Sequence, residues 1–212
     1  MQTYRDKTAL MQACAGGGDS LADADMMYFL VEGVDLSGMN LSGANLSGGE
    51  WIDVNFAGCD LSGAHIVETR FVRADFRQAR LDHAFLQKVE LIDCLLERVE
   101  AREASFFICQ MAGVNARHGV FVQAQILESN LDRADLTGAN LAQAQLRETS
   151  LEETCFHQCD LRGVDFRKTN FHHADYRQVC TDDAMFYGKP PWGGEALTGR
   201  DWARELLVFD GE

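Results

Sequence analysis

The chain has 212 residues, with 33 acids against 19 bases, a formal net charge of −14 and an apolar share of 46%. That length suits one domain with a sizeable core, and the apolar share excludes wholesale disorder. An acid excess of this size disfavours direct binding to nucleic acid or to an anionic membrane, because both reward clustered Lys and Arg.

Residues 1–33 read as an N-terminal cap, with a short helical pattern around Ala9–Ala15 followed by the glycine run Gly16–Gly18. The opening MQTYRDKTAL has no basic stretch leading into an apolar one, and no segment approaches about 18 uninterrupted apolar residues, so a cytoplasmic location is expected.

From 34 to 180 the chain repeats every five residues. Of the 29 positions taken at steps of five from Leu36 to Tyr176, 27 hold Leu, Ile, Phe, Met, Trp or Tyr, the exceptions being Ala101 and Ala116. Two positions before each of these sits a small residue, with Met39 the one departure. Five matches neither the 3.6-residue helix nor the two-residue strand. It predicts a coil with a corner every five residues, the large and the small residue both pointing to the axis. Gly38, Gly43, Gly48, Gly58, Gly63, Gly113, Gly138 and Gly163 follow the large residue by two and suit such a corner.

Charge fixes how many repeats make one coil, since stacked neighbours prefer opposite sign. Between 34 and 178, 12 of 15 charged pairs separated by 20 are of opposite sign, whereas separations of 15 and 25 give mostly like pairs. Four repeats per coil follow, about seven coils and a rod of about 35 Å. The expected ladders are Glu50/Arg70/Glu90, Asp53/Arg73/Asp93, Asp60/Arg80/Glu100 and Arg77/Glu97/Arg117, with Glu68/Lys88 and Asp82/Arg102 beside them.

Residues 181–212 read as a C-terminal cap. Ala184 and Phe186 still fit the register, Pro190-Pro191 then ends it, and Thr198 is placed to start a short helix to about Val208 with Trp202, Leu206 and Phe209 over the last coil.

The pentapeptides Ala44-Asn45-Leu46-Ser47-Gly48 and Ala134-Asp135-Leu136-Thr137-Gly138 resemble the pentapeptide repeat family, and the resemblance covers roughly 24–186. It implies an all-β fold, a right-handed quadrilateral β-helix with short helical or irregular caps. It also implies a non-enzymatic protein-binding rod. The resemblance offers two partners, DNA gyrase, bound by an acidic imitation of duplex DNA, or a nuclease-like toxin held by an immunity protein. A structural, adaptor or effector component of a bacterial secretion system, of the type VI kind, is the competing implication. Some members pair through their C-terminal ends, so a homodimer and a capped end both stay open here.

Candidate contact residues stand out against the repeat. Phe85, Leu95, Phe107, Ile108, Val120, Val122 and Leu127 put apolar side chains where polar ones are the rule. Taken modulo 20, Phe85, Phe107, Ile108 and Leu127 share one face, with the stack Ile52, Val72 and Ile92 on the next and Glu90 and Asp93 at its edge. An apolar cluster of this kind marks a contact surface. Glu128 above Glu148 and Asp132 above Glu152 stack like on like and form a candidate acidic face. Cys59, Cys94, Cys109 and Cys159 take the small inward position and read as core. No catalytic motif, metal-ligand spacing or nucleotide fingerprint is found, so no enzyme activity and no cofactor is expected.

Overall fold

The computed structural model describes residues 20–187 together with 190, 192, 200 and 201. The chain coils with a pitch of twenty residues. Asp25, Asn45, His65, Phe85, Ser105, Gln125, Gln145, Asp165 and Met185 form one unbroken column of parallel pairings, eight steps of twenty. At about 4.8 Å per step the column is about 38 Å long. The pairing reaches back to Ser20 and forward to Phe186.

Each coil has four walls. In chain order around the coil they are the Asp60 wall (20–23, 40–43, 60–63 and on), the β5 wall (25–28, 45–48, 65–68 and on, named for β5, Phe85–Gln87), the β2 wall (30–33, 50–53, 70–73 and on, named for β2, Glu50–Ile52) and the Asp75 wall (35–38, 55–58, 75–78 and on). The β2 wall carries β1 (Leu30–Glu32), β2 (Glu50–Ile52), β4 (Arg70–Val72) and β6 (Glu90–Ile92) in one parallel sheet. The β5 wall carries β3 (His65–Val67), β5 (Phe85–Gln87), β7 (Ser105–Phe107) and β8 (Gln125–Leu127). A final pair joins β9 (Met185–Phe186) to β10 (Arg200–Asp201).

Local sequence decides which pentapeptides are strands and which are turns. Where Asn or Asp precedes the large residue, its Oδ1 accepts the amide N–H two residues on, as from Ser42 to Asn40 and from Ala57 to Asn55, both at 3.0 Å. That bond closes a tight turn. In β2 to β8 no Asn or Asp stands there, and the residue after the large one includes Ile52, Val67, Val72, Ile92, Phe107 and Leu127, which favour extended backbone.

The axis is filled by the repeat's large residues, all but closed to solvent, among them Trp51, Phe56, Phe71, Phe106 and Phe156. Phe56 stacks on Phe76 with ring centroids 4.9 Å apart, and Phe71 meets Phe76 edge-on at 5.1 Å. The small inward residue leaves room for its large neighbour. At Gly49 an added Cβ would lie 2.6 Å from Trp51 Nε1, and at Gly119 the same distance from the Phe121 ring. Polar members of this set bond inward, Thr154 Oγ1 donating to Leu131 O at 2.8 Å and Thr69 Oγ1 to Leu46 O at 3.1 Å.

Every corner residue, number ending in 3 or 8, from Asp23 to Asp183 has left-handed backbone, and only nine of them are glycine. The eight glycines expected at corners are all left-handed, and the coil imposes the same backbone on 24 residues of other types. At the C-terminal end Trp192 packs against Phe166, Tyr176 and Phe186, with centroids 5.3 to 6.2 Å apart. The helix expected from Thr198 is corrected at Arg200–Asp201, which pair as a strand with Met185–Phe186. Trp202, Leu206, Phe209 and the helical pattern at 9–15 lie outside the described residues.

Candidate protein-binding surface

The coil brings four of the seven outward apolar residues together. Phe107 of β7 and Leu127 of β8 are direct partners in neighbouring coils, Ile108 is the corner beside Phe107, and Phe85 of β5 lies one coil earlier on the same wall. All four are half-buried. Leu95 faces out on the Asp75 wall, 38% exposed, and Val120 and Val122 lie on the Asp60 wall, apart from the cluster.

Ile52, Val72 and Ile92 do form a column on the β2 wall. Val72 is only 9% exposed and offers a partner little. Between that column and the Phe107 cluster runs a charge ladder, in which Arg70 reaches Glu50 at 2.9 Å and Glu90 at 3.4 Å. The two apolar groups are therefore separate surfaces. Asp93 is exposed at the next corner, in the column of Asp53 and Arg73.

Ile108 is unusual for its backbone. Its φ is 56°, and among the described residues no other left-handed corner carries a β-branched residue. Such a residue there is held against its local preference.

The ladders are largely as the charge pattern predicts. Arg73 grips Asp53 through two hydrogen bonds of 2.6 and 2.7 Å, and Lys88 meets Glu68 at 2.9 Å. The Arg73 bonds hold the Asp53 carboxyl below its usual range, and Lys88 does the same for Glu68. Arg117 leaves the expected stack on Glu97 for Asp135 at 3.5 Å, and Arg77 leaves it too. Arg77 closes instead on Asp75 in its own pentapeptide. Arg162 with Asp160, Arg167 with Asp165 and Arg177 with Asp175 repeat the arrangement. The guanidinium lowers the pKa of Asp75 and Asp160, and that of Asp175 to about 2.

Resolved by wall, the charge is uneven. The β2 wall holds Glu32, Glu50, Asp53, Glu90, Asp93, Asp132, Glu152 and Glu153 against Arg70, Arg73 and Arg133. The Asp60 wall, opposite it, holds Asp23, Asp60, Asp82, Glu100, Glu103, Asp160, Asp182 and Asp183 against Arg80, Arg102 and Arg162. The β5 and Asp75 walls come close to balance, the β5 wall setting Lys88, Arg147, Arg167 and Lys168 against Asp25, Glu68, Glu128, Glu148 and Asp165.

The candidate acidic face is split by this geometry. Asp132 and Glu152 belong to the acidic β2 wall, where Asp132 accepts from Ser150 Oγ at 2.6 Å and from the Glu152 amide at 2.9 Å. Glu128 and Glu148 belong to the balanced β5 wall, and Glu148 is held by Lys168 at 2.9 Å. They line an open hollow with Arg147, Arg167 and Tyr187.

The sequence model of the family described as pentapeptide repeats matches eight copies, across residues 32–64, 55–91, 109–144, 129–167 and 144–179. The chain belongs to the pentapeptide repeat family. Among solved structures, this pentapeptide repeat protein is similar to HetL, a pentapeptide repeat protein involved in heterocyst differentiation regulation in the cyanobacterium Nostoc, at 17% identity and a TM-score of 0.61, covering 86% of this chain and 98% of that one. It is also similar to full-length QnrB1, a plasmid-mediated fluoroquinolone resistance protein, at 16% identity and a TM-score of 0.51, covering 88% and 98%. No curated protein matches the chain. At these identities the likeness speaks for the fold.

Within that fold the four inward cysteines are buried, and burial pushes Cys59 and Cys109 up to about 11 and Cys94 and Cys159 to about 12. Cys155 is half-buried, Cys180 is exposed, and Cys14 lies outside the described residues. Sequence reasoning missed the Asp-x-Arg closures, although the spacing of two was there to be read.

Proposed function

We propose that this pentapeptide repeat protein is a non-catalytic rod that binds a DNA-processing protein by offering its carboxylate walls where the partner would receive duplex DNA. One observation carries the reading: the acid surplus lies on two opposite walls, and the two between them are nearly neutral. Two negative rows on either side of a stiff rod present a cationic groove with the charge layout of paired phosphate strands. Long-range attraction of this kind steers association and is screened over about 8 Å at physiological salt. DNA gyrase, implied by the family resemblance, is the first partner to try, and a nuclease-like toxin the second.

The test is a gyrase supercoiling assay with and without a fluoroquinolone, beside direct binding across a salt series. Protection from the drug is expected, with affinity falling by at least about tenfold between 50 and 200 mM salt. Binding insensitive to salt would remove the carboxylate walls from the account.

A further inference from the structure

We propose that the block formed by Phe107, Ile108 and Leu127 on the β5 wall seats an amphipathic helix of a partner protein, apolar on its inner side and flanked by Lys or Arg. The inference goes beyond the reading above, because it concerns a balanced wall and not the acidic ones. It starts from Ile108, the β-branched residue at a left-handed corner. Glycine occupies nine of the equivalent corners, so the coil itself does not ask for isoleucine there. Backbone strain kept at a surface position points to function more than to folding.

The geometry suits a helix. Phe107 and Leu127 stand in register in successive coils, with Ile108 beside Phe107 and Phe85 one coil earlier. Coils rise about 4.8 Å and a helix about 5.4 Å per turn, so apolar side chains at positions i, i+4 and i+7 meet the coils in succession over this short block. An added strand has no such fit. The strands of this wall already pair with the coils before and after them, as β7 does with β5 and β8, so they present no open edge.

Charge selects the flanks. Glu103 stands at the corner on one side of the block and Glu128 at the corner on the other, both exposed, and beyond each lies an acidic wall, while the nearest bases, Lys88 one coil before Ile108 and Arg147 one coil after Leu127, are taken up by Glu68 at 2.9 Å and Asp165 at 3.3 Å. A helix with Lys or Arg along both edges of its apolar stripe is drawn in, and one with Asp or Glu is repelled.

The full chain is titrated into a fluorescent peptide of about 18 residues, leucines on one helical face and lysines beside them. A scrambled peptide of the same composition and a Glu-flanked version serve as controls. The ordered Leu/Lys peptide is expected to bind at least about tenfold tighter than the scrambled one, and Phe107→Ser with Leu127→Ser to lose that advantage. These substitutions leave net charge unchanged. Ile108→Gly, which suits the corner's backbone, is a second variant expected to weaken the ordered peptide alone should the double variant melt early.

Equal binding of ordered and scrambled peptides would reduce the attraction to bulk charge and overturn the proposal. So would unchanged affinity in Ile108→Gly together with the double variant. A dimer in sedimentation that Phe107→Ser converts to monomer would make a second copy the occupant and overturn it as well. Salt separates this site from the acidic walls: the difference between ordered and scrambled peptides is expected to survive 200 mM salt, where screening acts within about 7 Å.

Discussion

Ile108 and Ile92 are both half-buried isoleucines on the outside of the same coil system, yet their backbones differ. Ile92 ends the extended strand β6, whereas Ile108 has a φ of 56°. Replacing either with glycine removes a partly buried side chain and adds chain entropy to the unfolded state, but only at 108 does it also relieve a left-handed strain of about 1–2 kcal/mol. In chemical denaturation Ile108→Gly is therefore expected to cost at least about 1 kcal/mol less than Ile92→Gly. Equal costs would mean the corner does not strain its isoleucine. The inward glycines obey a different rule. Gly49→Ala drives a methyl to 2.6 Å from Trp51 Nε1 and 3.1 Å from the carbonyls of Leu46 and Phe29, in a core that cannot give way. Overpacking of this kind costs about 1–3 kcal/mol, read by chemical denaturation. At Gly58, where φ is +67° and nothing lies within 4 Å of an added Cβ, alanine meets only the backbone cost.

The pentapeptide is the element of this fold, and its charges give it a pH dependence. Asp53, Asp75, Asp160 and Asp175 all have folded pKa values below the ordinary 3.8, Asp175 at about 2, because an arginine bonds the ionised form. A depressed carboxyl contributes stability above its unfolded pKa and loses it as pH falls through the folded value. Thermal stability is therefore expected to drop between about pH 4 and pH 2, and Asp160→Asn with Asp175→Asn to flatten that part of the curve. A drop unchanged by these substitutions would assign acid sensitivity to other groups. The coil was legible because the axis imposes size on two positions in every five, from Leu36 onward without a break, and its four-repeat pitch because charges twenty apart are mostly of opposite sign. The Asp-x-Arg closures were not read, because stacking was sought only between coils; the tight turn in which Asp75 Oδ1 accepts the Arg77 amide at 3.0 Å also brings the Arg77 side chain onto the same carboxylate. The helix expected from Thr198 was misread for the opposite reason. Its local helix signals lose at Arg200–Asp201 to backbone pairing with Met185–Phe186, a contact that sequence-local propensity does not register.

At the scale of the whole rod, placement of charge and amount of charge make different predictions. If only the net charge of −14 mattered, removing any four acids would slow association with a cationic partner equally. The walls predict otherwise. Glu152→Gln, Glu153→Gln, Asp182→Asn and Asp183→Asn take two carboxylates from each acidic wall, whereas Glu128→Gln, Glu148→Gln, Asp135→Asn and Asp175→Asn take the same number from the balanced walls. The first set is expected to lower the association rate with a cationic partner by about tenfold at low salt, and the second by much less, with dissociation rates little changed in both. Stopped-flow association at two ionic strengths checks it, with melting curves to confirm that both sets remain folded. Equal slowing by the two sets would show that the rod acts as a uniform charge, and the opposed carboxylate walls would then have no part in recognition.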